Sequence, residues 1–226
     1  MKLKITIVKK MLIIGVVLLF SGCVSKDVVP MSAGSLQNLS NKTFTFVQRK
    51  KLSEPNIMTP GQAMTMGLFG GVGGAIVELA NEKSGIKAFR KTPAYYINSQ
   101  LTPVLIEKYK MRLVPSVHVT DKSDLVELLE EYKNVDYIID TQDFHWVAMY
   151  YPLNWDTYGI RYMGNIKIID VKKEKIIAKG YCESIPENSD KSPSYEQLFA
   201  DDAKLFKKMT ENILSKCADN YLKEVF

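Results

Sequence analysis

The chain reads as an α/β two-layer sandwich: a mostly antiparallel sheet of about five strands, helices on one face, and a long C-terminal helix. Three observations predict this. Apolar residues recur at helical spacing over 92–110 and 120–132. From Val135 the period changes to two and persists to Cys182. After Ser194 the helical spacing returns and runs to Val225. The elements follow the order β-α-β-α-β-β-β-α and occupy 43–226 as one domain, long enough to bury a core of its own.

Thr43-Phe44-Thr45-Phe46-Val47 alternates in β-prone residues and gives the first strand. Residues 50–60, with Pro55 and Pro60, read as loop. Gly61–Ala80 carries Gly67, Gly70, Gly71, Gly73 and Gly74 and a single charge, Glu78. The segment lacks the Lys-Ser/Thr and the G-x-G-x-x-G spacing of phosphate-cradling loops. Thr92-Pro93 is an N-cap followed by proline at the first helical position. The helix runs from there to about Lys110 with a stripe of Leu101, Val104, Leu105 and Tyr109, and Pro103 either kinks it or restarts it.

Leu113–Val119 reads as a strand that Pro115 confines to an edge or bulge. Thr120-Asp121 opens a helix with Leu125, Leu128, Leu129 and Tyr132 on one face. Val135–Tyr151, Tyr158–Val171 and Lys175–Cys182 form an antiparallel meander turning at Lys172-Lys173-Glu174. On the last strand Ile176, Ala178, Gly180 and Cys182 share a face, small enough for a helix to approach closely. Ser194-Tyr195-Glu196-Gln197 is a capping box for that helix. Its stripe is Leu198, Leu205, Phe206, Met209, Ile213, Cys217, Tyr221 and Val225.

Ahead of the domain, Lys2, Lys4, Lys9 and Lys10 precede an apolar run from Met11, which ends in Leu18-Leu19-Phe20-Ser21-Gly22-Cys23. Basic start, apolar core and small residues in that order mark 1–22 as a signal peptide. A cysteine directly after Ser-Gly resembles the lipobox of bacterial lipoproteins, with Phe20 where that family usually has Leu. The resemblance implies cleavage before Cys23 and acylation of Cys23 with palmitate-type chains, enough for stable membrane anchoring. In that family Val24-Ser25 after the cysteine, in place of Asp, implies the outer membrane and its periplasmic face. Residues 23–42 are polar without sustained period and read as a flexible tether that spans about 60 Å when extended.

Four of the 30 Lys and Arg fall within 1–22 and none of the 25 acids do, which leaves 26 against 25 for the remainder. A near-neutral domain lacks the electrostatic basis for nucleic-acid binding. With Cys23 acylated, Cys182 and Cys217 remain as an even pair in an oxidising compartment and are expected to be joined. The strand period and the helix period independently point both toward the sheet–helix interface. Two cysteines are too few ligands for a metal site, and no cofactor motif is present.

In element order, 43–226 also resembles the periplasmic domain shared by the curli-secretion lipoprotein, penicillin-binding-protein activator lipoproteins and the Tol B amino-terminal domain. That implies a fold and says little about activity. Candidate partner-binding residues are the aromatics around the hairpin connection Pro152–Asp156: Trp146, Tyr150, Tyr151, Trp155 and Tyr158, with Asp156. Tyr162 belongs to the same group. Gly67/Gly71 and Gly70/Gly74, four apart, are candidates for homo-oligomerisation. Asp143 and His145, two apart on one strand, are the one pairing from which a hydrolase could be argued. No G-x-S-x-G or H-E-x-x-H accompanies them, so the expectation is a non-enzymatic module that docks an envelope protein or glycan. A subunit of an oligomeric envelope or secretion complex is the alternative.

Overall fold

The computed structural model describes residues 27–50, 54–61, 92–187 and 190–226. The elements are α1 (Ala33–Gln37), β1 (Thr43–Phe46), β2 (Gln48–Arg49), β3 (Asn56–Met58), α2 (Pro93–Glu107), β4 (Arg112–Leu113), β5 (Val119–Thr120), α3 (Leu125–Glu131), β6 (Tyr137–Tyr151), β7 (Asn154–Asp170), β8 (Lys175–Ser184) and α4 (Tyr195–Glu224). The six-stranded sheet runs β4-β1-β6-β7-β8, with β3 also on β6, and β2 and β5 form a small separate pair. The three long strands make the expected antiparallel meander. Strands β1, β3 and β4 are parallel to their partners, so the sheet is mixed. A strand that reaches its partner through helical crossovers arrives in the same direction, whereas a tight turn reverses it.

Helices α1, α2 and α4 cover one face over a core that includes Phe44, Ile97, Leu101, Leu105, Ile139, Ile166, Ile168 and Tyr221. Helix α3 covers part of the other face, where Leu128 and Tyr132 meet Ile138 and Ile169, so the helices are not confined to one side. The α3 N-cap is Asp124, whose side chain accepts from Val126 N–H at 2.9 Å. Thr120, expected to open that helix, is strand residue instead. Pro115 splits the expected strand Leu113–Val119 into β4 and β5. Within the expected loop 50–60, Asn56–Met58 forms β3 against Val147–Met149.

The expected tether 23–42 is largely part of the domain. Val29 and Lys179 exchange backbone hydrogen bonds of 2.9 and 2.8 Å, and Met31 N–H donates to Val225 O at 2.9 Å. Ser32 caps α1, and Met31 and Leu39 are buried in the main core. Three residues, 24–26, separate this packed stretch from Cys23 in sequence.

Cys182 on β8 and Cys217 on α4 form a disulfide with Cα atoms 5.5 Å apart. Next to it, a Cβ on Gly180 would lie 2.6 Å from Val225 Cγ2 and 2.8 Å from Tyr221 Cδ1. Only glycine lets α4 approach β8 this closely. Two expected faces shift in phase. A bulge between Ile168 and Ile169 turns Ile176 away from Ala178 and onto the α3 side. In α4, Asp201, Asp202 and Ala203 take positive φ (51°, 57° and 56°) and kink the helix. Its buried row after the kink is Phe206, Thr210, Leu214, Cys217, Ala218 and Tyr221, while Leu205, Met209 and Ile213 turn partly outward.

Candidate functional site

Hairpin β6–β7 outruns its neighbours. Strand β8 stops at Ser184, paired with Tyr162, and β3 stops at Met58, paired with Met149. Beyond these points residues 190–193 and the start of α4 lie beside β7 in place of the missing strand: Tyr158 N–H donates to Pro193 O at 2.8 Å and Thr157 bridges Ser194. Between Ser184 and Pro193 an open groove of about 660 Å³ remains. Ile160 forms its floor, Leu205, Met209 and Ile213 one wall, and Tyr151 and Pro186 the other. Tyr158 N–H points away from β6, so by strand alternation the N–H and C=O of Ile160 point the same way, into the groove.

The aromatic residues expected to form one binding surface separate into three groups. Trp146 and Tyr158 are core residues. They end a train of rings: Tyr158 meets Tyr195 edge-on at 5.6 Å, Tyr195 meets Phe199 at 4.8 Å, Phe199 meets Phe206 at 5.5 Å, and Phe206 stacks on Trp146 at 5.9 Å. Such pairs fasten the kinked start of α4 to the sheet. Burial, then the neighbouring Tyr195 and Glu196, pushes the Tyr158 hydroxyl up to about 12, so it stays protonated. Tyr150 is half-buried against the same core. Tyr151 lines the groove and donates its hydroxyl to Glu187 O at 2.8 Å. Trp155 and Asp156 alone stand at the exposed tip, with Leu153 beside them.

Asp143 and His145 do not share a face. Asp143 opposes Gly164 and His145 opposes Met163, so Phe144 is a bulge residue and the alternation skips a beat. Asp143 turns to the helices, where its carboxylate accepts from Tyr162 O–H at 2.6 Å and from Ala94 N–H, in the first turn of α2, at 3.0 Å. Burial pushes its carboxyl up to about 6, against the pull of those two donors. The Tyr162 hydroxyl is pushed well up by burial and by Asp143 beside it. His145 lies on the opposite face, where burial and the Arg161 charge lower its pKa. The pair therefore lacks the base–orienter contact a hydrolytic site needs.

Sequence reasoning missed the groove because it placed Leu205, Met209 and Ile213 in the core. The available signal was the interval from Leu198 to Leu205, where the apolar stripe lacks its middle member and Asp201 and Asp202 stand at the kink. Cys23, Gly67, Gly70, Gly71 and Gly74 lie outside the described residues. Among the described residues no cluster of His, Cys, Asp and Glu could hold a metal ion, and no helix is long and apolar enough to cross a membrane.

No protein-family model matches the chain, and no curated protein matches it in sequence. Among solved structures it is similar to the LpoB C-terminal domain from Salmonella enterica, at 12% identity and a TM-score of 0.28, covering 68% of this chain and 97% of that one. It is similar to a lipoprotein from Neisseria meningitidis, at 8% identity and a TM-score of 0.31, covering 79% and 99%. A third is the PelC dodecamer from Paraburkholderia phytofirmans, at 10% identity and a TM-score of 0.30, covering 90% and 98%.

Proposed function

We propose that this chain is a lipoprotein anchored by Cys23 to the periplasmic face of the outer membrane, and that its α/β domain docks an extended segment of another envelope protein. The lipobox-like Ser21-Gly22-Cys23 supports the anchor, and the Cys182–Cys217 disulfide fits an oxidising compartment. The observation that carries the docking role is the groove where β8 ends. It offers Ile160 backbone groups on its floor and an apolar wall of Leu205, Met209 and Ile213. An extended segment continuing the sheet past Ser184 would pair with that edge and bury alternate side chains against the wall.

A photo-crosslinking residue at Gln197, on the groove lining, tests this in cells. The expected result is a crosslinked species of discrete mass, weakened at least several-fold by Met209→Glu while the thermal midpoint of the domain is kept. Equal crosslinking from Glu130, exposed on α3 across the sheet, or insensitivity to Met209→Glu would remove the groove as the docking site.

A further inference from the structure

The hairpin tip carries an apolar surface that the groove does not use. Leu153 is 99% exposed and Trp155 is 52% exposed. The Trp155 indole N–H donates to Pro152 O at 2.7 Å, so the tip satisfies its own ring donor and turns the rest of the indole outward. An exposed leucine beside a tryptophan at the end of a two-stranded ribbon suits the interfacial layer of a bilayer, where the indole sits at headgroup level. The neighbouring exposed Asp156 limits such seating to that depth.

The path of the N-terminal chain selects the bilayer over other apolar partners. Val29 pairs antiparallel with Lys179, and the Asp27 carboxylate meets Lys179 Nζ at 2.5 Å. An antiparallel register sends the chain ahead of Val29 toward the Ser184 end of β8, which is the direction of the hairpin tip. Two residues back from Val29, Asp27 is level with Tyr181, whose partner on β7 is Asn165. Extended, the step from Asp27 to Cys23 covers at most about 14 Å. From Asn165 to Trp155 along β7 is roughly 33 Å at strand rise. Both points reach one plane when the strand axis leans at no more than roughly 25° to it, a bound set by those two lengths.

We propose that Leu153 and Trp155 at the β6–β7 tip seat in the same leaflet that holds acylated Cys23, giving the domain a second foothold that fixes its tilt. This rests on the lipid-anchor reading above. The two contacts act as linked sites: the tip contact is weak alone, but the anchor keeps the tip at high local concentration.

The test uses the full chain purified from membranes and reconstituted into vesicles of phosphatidylethanolamine with phosphatidylglycerol, with or without brominated acyl chains. Flotation with the vesicles reads the anchor. Quenching of tryptophan emission by the bromine reads the tip, since the only other tryptophan, Trp146, is buried under α4. The expected result is a quenchable component in the unmodified chain that is lost in Trp155→Phe and reduced at least twofold in Leu153→Asp. A chain that floats with no quenching difference between the unmodified form and Trp155→Phe overturns the tip contact and leaves the anchor standing. A chain with unmodified Cys23 that does not float overturns the anchor, and the second foothold with it.

Discussion

The two ends of one hairpin are built from similar residues and meet opposite fates. At the turn-distant end, Ile138, Ile139, Ile166, Ile168 and Ile169 are closed in by β1, β8 and helices on both faces. At the tip, Tyr151–Tyr158 run past the last residue of β8 and past β3, and Leu153 and Trp155 stand out. Apolar character alone does not decide burial. The reach of neighbouring elements does, and a strand pair that outlasts its neighbours yields an edge and an apolar end. The closed end is therefore where stability should be lost, and the open end where contact with other molecules should be lost.

The largest expected effect lies at the closed end. Replacing Cys182 and Cys217 with Ala opens a loop with a sequence separation of 35 residues. That should cost about 3–4 kcal/mol in the chain-entropy model, read as a lower denaturation midpoint with a steeper slope, because the unfolded chain without the cross-link exposes more surface. A loss below ~1 kcal/mol would mean that Gly180 and its contacts, and not the covalent link, hold α4 on β8.

Asp143 gives the next effect, with the opposite sign. Its folded carboxyl titrates near 6, above the unfolded value of about 3.9. The folded state thus holds a proton the unfolded chain has released. The contribution of this group is fully present below pH 4 and is lost as pH rises through 6. Asp143→Asn should flatten that part of the stability profile and stabilise the protein at pH 7 by on the order of 2–3 kcal/mol, with Tyr162 O–H turning to accept from the amide. A profile unchanged between the two proteins from pH 4 to 7 would show that the carboxylate is solvated.

Gly180→Ala comes third, because the new methyl meets Val225 and Tyr221 below 3 Å. A loss of roughly 1–3 kcal/mol is expected from thermal or urea unfolding. The smallest stability effect belongs to the open end. Leu153→Ser should change stability by no more than about 0.5 kcal/mol, since the side chain is exposed. A larger loss would place Leu153 in the folding core and erase the contrast between the two ends.

Much of this was legible in the sequence. The period of two after Val135 fixed the meander, Ser194–Gln197 capped α4 as a capping box, and the facing of Cys182 and Cys217 followed from two periodicities. What was not legible shifted phase without changing composition. The bulge at Phe144 parts Asp143 from His145, the bulge near Ile168 turns Ile176, and the kink at Ala200–Ala203 turns Leu205, Met209 and Ile213 into a groove wall. An extra residue in one strand, or three left-handed residues in a helix, leaves the pattern of residue types intact while reversing its facing. The packed stretch 27–42 was hidden for another reason. Its burial depends on Met31 and Leu39, which are too widely spaced to make a period.

The most direct test of the central claim, an oxidised domain held at a membrane through its first mature residue, is the intact mass of the chain extracted from membranes, alkylated before and after reduction. The expected result is a chain beginning at an acylated Cys23, with Cys182 and Cys217 alkylated only after reduction. An unacylated chain whose three cysteines all react without reduction would contradict both the anchor and the disulfide.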